Sequence, residues 1–301
     1  MKTSTDHICV CICTYQRPLL LRRLLEGLAS QSTDGKFTYS VVVVDNDRSR
    51  TAEPVVSAFA RASSIPIGYF VEPQQNIAMA RNRAIANADG NYVAFIDDDE
   101  FPIQNWLLTL FEACRRYAAD GALGPVNPHF DEEPPRWVRS GKFWQRPTYP
   151  TGTVIDGMKG RTGNVLLKRE VFQAGTEPFR PEFRAGEDQD FFTRMIDQGR
   201  VFVWCDEAVA YEVVPPMRWK RSFILKRSIF LGSFSTLHQK FGASEVVKSI
   251  IAVPVYTVLL PFSALAGHHR FMTFLSKLAY HSARILACLG IEIIKTPYVT
   301  Q

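Results

Sequence analysis

No two cysteines of this chain are spaced Cys-x-x-Cys, so the usual zinc-site pattern is missing. Six cysteines exist: Cys9, Cys11, Cys13, Cys114, Cys205 and Cys288. The first three alternate along one apolar run, which points them to one face of a strand. The β rise holds residues i and i+2 too far apart for an easy disulfide. All six read as reduced, buried thiols of a cytoplasmic protein. The N-terminal stretch to His7 lacks the apolar segment of a signal peptide, and none is expected. A glycine-rich phosphate loop is also missing. Thr14-Tyr15-Gln16-Arg17-Pro18 stands where a sugar-phosphate nucleotidyltransferase would need one. There is no internal repeat and no low-complexity tract. The histidines (His7, His129, His238, His268, His269, His281) all fall outside the acidic motifs below and read as structural or surface residues.

The chain has 301 residues, enough for one large domain with an appendage, and 46% hydrophobic content supports a substantial core. Its charge is uneven. From Pro216 onward there are 11 Lys and Arg against 2 Asp and Glu, a net +9. The whole chain carries +5, which leaves −4 for the preceding part. A basic tail on a mildly acidic body is expected to meet something anionic: a membrane surface, a lipid diphosphate or a nucleic acid.

Ile8 to Cys13, Tyr39 to Val44, Ile67 to Val71 and Tyr92 to Ile96 are short apolar runs that read as strands. Helices are expected between them. One opens after Pro18 with Leu19, Leu20, Leu24, Leu25 and Leu28 on one face; others span about 53–61 and 77–88. Alternation of this kind predicts an α/β fold with a doubly wound, mostly parallel sheet covered on both faces. From Gly124 the prolines Pro125, Pro128, Pro134, Pro135, Pro147 and Pro150 break the pattern into a long loop region carrying Trp137 and Trp144. Regular structure resumes at Val165 to Leu167 (strand), Asp188 to Gln198 (helix) and Val201 to Trp204 (strand). Beyond Pro216 a basic, apolar, helical extension is expected. Ile250 to Gly267 is an uncharged run of 18 residues interrupted by Pro254 and Pro261, which count against a straight membrane span. A second amphipathic stretch covers Phe271 to Ile294.

Three acidic sites follow in order: Asp45-Asn46-Asp47 after the second strand, Asp97-Asp98-Asp99-Glu100 after the fourth, and Glu187-Asp188 with Asp190 after Gly186. Carboxylates at the carboxyl ends of strands in an open α/β sheet converge on one crevice. The first group suits a nucleoside, and equally a solvated turn or helix cap. Four adjacent carboxylates repel one another, and a hard divalent cation bridging to a diphosphate relieves this. Arg81 suits a phosphate, and equally a helix surface. Glu187 and Asp188 suit proton removal from a hydroxyl, and also the first turn of a helix. Trp137 and Trp144 suit sugar stacking, with packing the commoner role.

Cys13-Thr14-Tyr15-Gln16-Arg17-Pro18, Val44-Asp45-Asn46-Asp47, Ala80-Arg81-Asn82, Phe95-Ile96-Asp97-Asp98-Asp99, Thr162-Gly163-Asn164 and Gly186-Glu187-Asp188-Gln189-Asp190-Phe191-Phe192 together resemble a family 2 glycosyltransferase. The Gly-Glu-Asp-x-Asp-Phe-Phe run and the later Glu212-Val213-Val214-Pro215 are shared with bacterial exopolysaccharide glucosyltransferases of the succinoglycan-pathway type. The resemblance implies a GT-A fold and inversion at the anomeric carbon. It implies a donor site of Thr14, Arg17, Asp45, Asn76, Arg81, Asp97, Asp98, Gly163 and Asn164. It implies Mg²⁺ or Mn²⁺ on Asp97 and Asp99, and a base in Glu187-Asp188, with Asp188 favoured. Tyr211 stands where the family often has a metal-binding histidine, and Glu212 is taken as the replacement ligand.

The expected enzyme moves a hexose from a nucleotide sugar, a UDP-hexose, to a lipid-diphosphate-linked saccharide, with no nucleic-acid partner. It would work at the cytoplasmic face of a bacterial inner membrane, with the tail on the anionic surface. Residues 1–215 are expected to form the transferase domain, its nucleotide half about 1–124 and its acceptor half about 125–215. Residues 216–301 form the extension. The rival reading is a non-catalytic, membrane-bound partner of a polysaccharide assembly complex.

Overall fold

The computed structural model describes residues 6–173, 177–183, 186–237, 241–291 and 293; His238 and Ile294 lie outside them. The first strands and helices fall where the apolar runs place them. They are β1 (Asp6–Thr14), α1 (Pro18–Ala29), β2 (Phe37–Asp45), α2 (Glu53–Ala62), β3 (Ile67–Val71), α3 (Ile77–Ala86) and β4 (Tyr92–Ile96). The chain then forms β5 (Glu100–Pro102), α4 (Trp106–Arg116), β6 (Gly121–Leu123), β7 (Val126–His129) and α5 (Arg136–Gly141), none of which the sequence reading located. It continues through β8 (Asn164–Lys168), α6 (Glu187–Asp197), β9 (Phe202–Trp204), β10 (Ala210–Val213), α7 (Arg221–Phe234), α8 (Ala243–Leu265) and α9 (His268–Cys288).

Seven strands form one sheet in the order β3-β2-β1-β4-β8-β6-β9. The left part is parallel, and β8 runs antiparallel to both β4 and β6. The chain reverses its direction of travel across the sheet between β1 and β4. The crevice beyond such a switch point is where open α/β sheets bind ligands. Thr14, Asp45 and Asp97 all stand at that end.

The period of two explains the continuous apolar strands. Ile8, Val10, Ile12, Val41 and Val43 pack on one face with Leu21, Leu24, Leu25 and Leu28 of α1 and with α4. Cys9, Cys11, Val42 and Val44 pack on the other, with α3 and with Phe191 and Phe192 of α6. Each fully buried leucine contributes roughly 1.5–3 kcal/mol. The apolar face of α1 begins at Leu21, not Leu19, which is 75% exposed. Pro18 starts the helix and sets its phase, so the buried stripe falls at 21, 24, 25 and 28.

All six thiols are free, as expected, and five are buried or nearly so. Cys288 is exposed at the end of α9, against expectation. Burial pushes the thiols of Cys13, Cys114 and Cys205 up to about 12, which keeps them protonated and inert.

The chain forms two compact units. One comprises Met1–Asn127, Arg146–Glu182 and Glu187–Glu212; the other comprises Pro128–Gln145, Phe183–Gly186 and Val213–Gln301. The second unit therefore takes in a segment, 128–145, that lies well before residue 216. Within it Val138 and Trp144 pack against Val214, Trp219 and Ile224. Trp137 stacks edge-on with Phe143 and with His268. Both tryptophans of the proline-rich stretch are thus packing residues. In the same unit α9 packs along α7 and α8. α8 stays helical through Pro254 and Pro261.

Candidate active site

The crevice at the ends of β1, β2 and β4 is organised by carboxylates and three arginines, Arg17, Arg81 and Arg146. Asp98 is the anchor. It accepts from Thr14 Oγ1 at 2.8 Å and from Arg17 Nη1 at 2.9 Å. The same guanidinium reaches Asp99 Oδ2 at 3.2 Å. Burial raises the Asp98 carboxyl to about 6 against the pull of Arg17. Asp97 differs from its neighbours: its side chain is 43% exposed, while those of Asp98 and Asp99 are 6% and 10% exposed. Asp97 is the member of the run that a ligand can reach.

Glu100 is 1% exposed. Its Oε2 accepts from the Asp97 amide, and its Oε1 is buried with no hydrogen-bond partner. Burial, with Asp97 and Asp99 close by, pushes this carboxyl well above the ordinary range. A Cβ at Gly163 would stand 2.8 Å from Glu100 Oε1 and 3.0 Å from Asp97 Oδ2. Both oxygens therefore crowd the one spot that glycine leaves open. The neighbouring Thr162 Oγ1 is also buried without a partner. Orphaned oxygens of this kind in a native site call for an ion or water.

Among the described residues no three His, Cys, Asp or Glu side chains gather as a ligand set, so Asp97, Asp99 and Glu212 do not form one. Asp99 is turned to Arg17. Glu212 is turned to Arg146. The sheet register explains the second case. β10 pairs with β5 so that Glu212 faces Glu100 and Tyr211 faces Phe101. Like charges opposite each other on a ladder repel, and Arg146 pairs with Glu212 to offset this. Tyr211 stacks on Phe101 with centroids 5.4 Å apart. The protein oxygens that fit a hard cation are those of Asp97 and Glu100. One or two carboxylates plus substrate phosphates are the usual Mg²⁺ donor set.

Arg81 links this cluster to α6. Its guanidinium is buried, pairs with Glu187 Oε1, and lies 3.6 Å from Asp97 Oδ1. Burial opposes its charge, but Glu187, Asp97 and Asp188 outweigh that and hold its pKa above the ordinary value. The two carboxylates opening α6 thus have different surroundings. Glu187 is buried and paired. Asp188 is half-buried, and the hydrogen bond it makes is to the amide of Gln189 through Oδ1.

Three expected donor contacts are engaged within the protein. Asp45 is fully buried: Oδ1 accepts from the Asp47 amide, and Oδ2 accepts from the Ala52 amide and Tyr69 Oη. It closes the turn after β2, because a carboxylate there satisfies three donors at once. Asn76 caps α3, accepting from the amides of Ala78 and Met79, and donates to the Pro181 carbonyl. Asn164 accepts from Trp106 Nε1 and donates to the carbonyls of Pro125 and Ala208, so its amide holds strands together. Thr14 and Arg17 hold Asp98 and Asp99, and Gly163 leaves room beside Asp97 and Glu100.

Beside Asn164 a cleft of about 210 Å³ is lined by Arg146, Tyr149, Lys159, Arg161 and Trp204, among others. Sequence reasoning missed Glu100's isolation and this whole wall. The wall residues are scattered through the proline-rich stretch and its neighbours without a motif.

Comparison with known proteins gives the family and the fold. Residues 9–173 match the family described as Glycosyl transferase family 2. The succinoglycan biosynthesis protein ExoM of Rhizobium meliloti (strain 1021) is 35% identical over 229 residues, covering 75% of this chain and 73% of that protein. The galactofuranosyltransferase GlfT1 of Mycolicibacterium smegmatis is 24% identical over 219 residues, 67% and 70% of the two chains. Among solved structures, mannosyltransferase PcManGT from Pyrobaculum calidifontis in complex with GDP-Man and Mn²⁺ aligns with TM-score 0.63 at 18% identity, covering 96% of this chain and 89% of that one. S. aureus TarS 1-349 in complex with UDP aligns with TM-score 0.54 at 17% identity, covering 96% and 94%. The fold is that of the GT-A glycosyltransferases. With more than half its length matching the family model, and a relative 35% identical over 75% of the chain, the chain is a member of glycosyl transferase family 2.

Proposed function

We propose that the protein is an inverting hexosyltransferase of exopolysaccharide biosynthesis, moving a sugar from a UDP-sugar to a lipid-linked saccharide at the cytoplasmic face of a bacterial inner membrane. The observation that carries this reading is the chain Asp97–Arg81–Glu187 with Asp188 beside it. It ties a ligand-accessible carboxylate to a second carboxylate with an open oxygen.

In the proposed reaction Asp188 removes the proton of the acceptor hydroxyl as that oxygen attacks C1 of the donor sugar. The C1–O bond to the diphosphate breaks, and the nucleoside diphosphate leaves with the electron pair. One displacement inverts C1. Mg²⁺ or Mn²⁺ held by Asp97, with Glu100 behind it, would supply Lewis-acid stabilisation of the leaving diphosphate. Arg17 fixes Asp98 and Asp99, and Arg81 pairs with Glu187 and ties the start of α6 to the crevice. The relative named for succinoglycan biosynthesis supports the pathway class, and the UDP-bound neighbour supports the nucleotide.

The lipid-linked acceptor is supported by the second unit. α8 is apolar, with mean hydropathy 1.8, and little of it is buried. Lys220, Arg221 and Lys226 of the same unit are exposed.

A screen of sugar nucleotides for hydrolysis, with Mn²⁺, Mg²⁺ or EDTA, tests the reading. One UDP-hexose should be consumed in a metal-dependent way. If no sugar nucleotide is bound or hydrolysed with either metal, the protein is the non-catalytic assembly partner.

A further inference from the structure

The cleft beside Asn164 has a chemistry that the transfer reaction does not use. Three cations border it, Arg146, Lys159 and Arg161. Arg146 is committed to Glu212. Lys159 pairs with Asp156 at 2.9 Å, but both side chains are well exposed, and such pairs hold weakly. Arg161 is different. Among the described residues it makes no hydrogen bond and no ion pair. The largest influence of opposite sign is that of Asp188, whose charge acts on it without ion-pair contact. The residue is exposed, yet partial desolvation of its guanidinium and the proximity of Arg146 both hold its pKa below the ordinary value. Two guanidiniums border one space and a carboxylate pairs with only one of them, so the charge of Arg161 meets solvent and is open to a ligand.

The same cleft is also lined by aromatics. Tyr149 and Trp204 meet edge-on with centroids 5.3 Å apart, and Lys159 Nζ sits 5.0 Å from the Tyr149 centroid. The volume of about 210 Å³ is below the roughly 300–1,000 Å³ of pockets that enclose a drug-sized ligand, so it holds one ring and not an oligosaccharide. Aromatic faces take the apolar side of a sugar ring, and a guanidinium pairs best with a planar oxyanion through parallel hydrogen bonds.

We propose that this cleft is an acceptor subsite for an anionic saccharide, one ring bearing a phosphate or carboxylate, with Arg161 pairing to the acid group and Tyr149 and Trp204 packing on the ring. This rests on the reading of Asp188 as the base, because Arg161 lies within its field. Arg161 is a specificity residue here and takes no part in the proton transfer.

Direct binding tests the proposal without a transfer assay, so its failure is separable from failure of the hydrolysis screen. Calorimetry or ligand-observed NMR on the full chain would use glucose 1-phosphate and methyl β-glucuronide as acidic probes and methyl β-glucoside as the neutral one. At least one acidic probe should bind, more tightly than the neutral one and more weakly at high salt. Arg161→Ala should weaken it about ten- to a hundredfold, the range for losing a hydrogen bond to a charged group. Arg161→Lys should recover part of that, and saturating UDP should leave acidic-probe binding intact. Equal binding of the neutral probe, or unchanged affinity in Arg161→Ala with thermal unfolding intact, overturns the proposal. Competition by UDP also overturns it, since the cations would then serve the donor diphosphate. Preference between the two acidic probes tells whether the acid is a phosphate or a sugar carboxylate.

Discussion

Glu187 and Asp188 are adjacent in the chain but differ in what surrounds them, and that difference can be measured. Glu187 is the counter-ion of a buried arginine. Removing one partner of a buried pair costs about 3–5 kcal/mol, because the other charge is left behind. Asp97, 3.6 Å from the same guanidinium, recovers part of this. Glu187→Gln should therefore lower the unfolding temperature by several degrees and disturb UDP binding. Asp188→Asn should leave both untouched and reduce turnover on the order of 10²–10⁴-fold, the usual share of a general base. Wild-type turnover in Asp188→Asn, beside a stable but dead Glu187→Gln, would exchange their roles. Asp45 gives a second measurement. Burial raises its pKa, despite hydrogen bonds from Ala52, Tyr69 and Asp47. The folded chain thus holds this proton more tightly than the unfolded one, where an aspartate titrates near ~3.9. Its contribution to stability is greatest below that value and falls as pH rises through the folded pKa. The stability difference between wild type and Asp45→Asn, followed from pH 4 to 7 by thermal unfolding, should shrink as pH rises. A difference that grows with pH would mean that the carboxylate form is the one the fold favours.

At the scale of elements, local pattern and topology divide what could be read. β1 to β4 and α1 to α3 are legible because each is an apolar run or stripe bounded by Gly, Pro, Asn or Asp. α4 carries the same kind of stripe, with Leu107, Leu110, Phe111 and Cys114 buried and Glu112, Arg115 and Arg116 exposed, so its period too is present in the sequence. β5, β6, β7 and β10 have 3 or 4 residues each, too short for any period to show. The direction of β8 is a property of its connections and has no local signal. The same split applies to the site. Its carboxylates were legible as motifs, but their partners were not: Arg146 lies far from Glu212 in sequence and meets it through the β5–β10 register. Asn76 illustrates the ambiguity, since a cap and a donor contact call for the same residue type. As the cap of α3, Asn76→Ala should cost about 1 kcal/mol, within 0.5–2, in chemical denaturation. Asn76→Asp should retain most of the cap and lose only the bond to Pro181. A drop in UDP affinity with unchanged stability in Asn76→Ala would instead put the side chain against the donor.

For the whole molecule, the open question raised by its charge and hydropathy is what the C-terminal region touches. A truncation after Val214 is the obvious probe from sequence, but the structure argues against it. Val214 is 1% exposed and packs with Val138, Trp144, Trp219 and Ile224, so the cut would uncover Val138 and Trp144. Substitutions on α8 are the cleaner test. Val247, Ile250, Ile251, Val255, Val258, Leu259, Phe262 and Leu265 are exposed and recur every three or four residues, which makes one apolar stripe. Ser249, buried on the helix, turns instead to His281 of α9 at 3.0 Å. A helix of 23 residues spans about 35 Å, enough to cross or lie along a bilayer core of ~30 Å. The exposed Lys220, Arg221 and Lys226 supply a second attachment, worth roughly 1 kcal/mol each near an anionic leaflet. Two signals together are what stable anchoring requires. The full chain should therefore float with anionic liposomes, and high salt should release it only in part, because salt screens charge and leaves apolar burial intact. The double substitution Ile251→Glu, Val258→Glu places two charges on the stripe, seven residues apart, without touching a buried position. It should abolish flotation while leaving thermal unfolding and UDP binding unchanged. Flotation that persists in this variant would remove α8 from the attachment. A wild-type chain that never floats, and that elutes as a dimer only with the stripe intact, would make the stripe a contact between two copies of the protein.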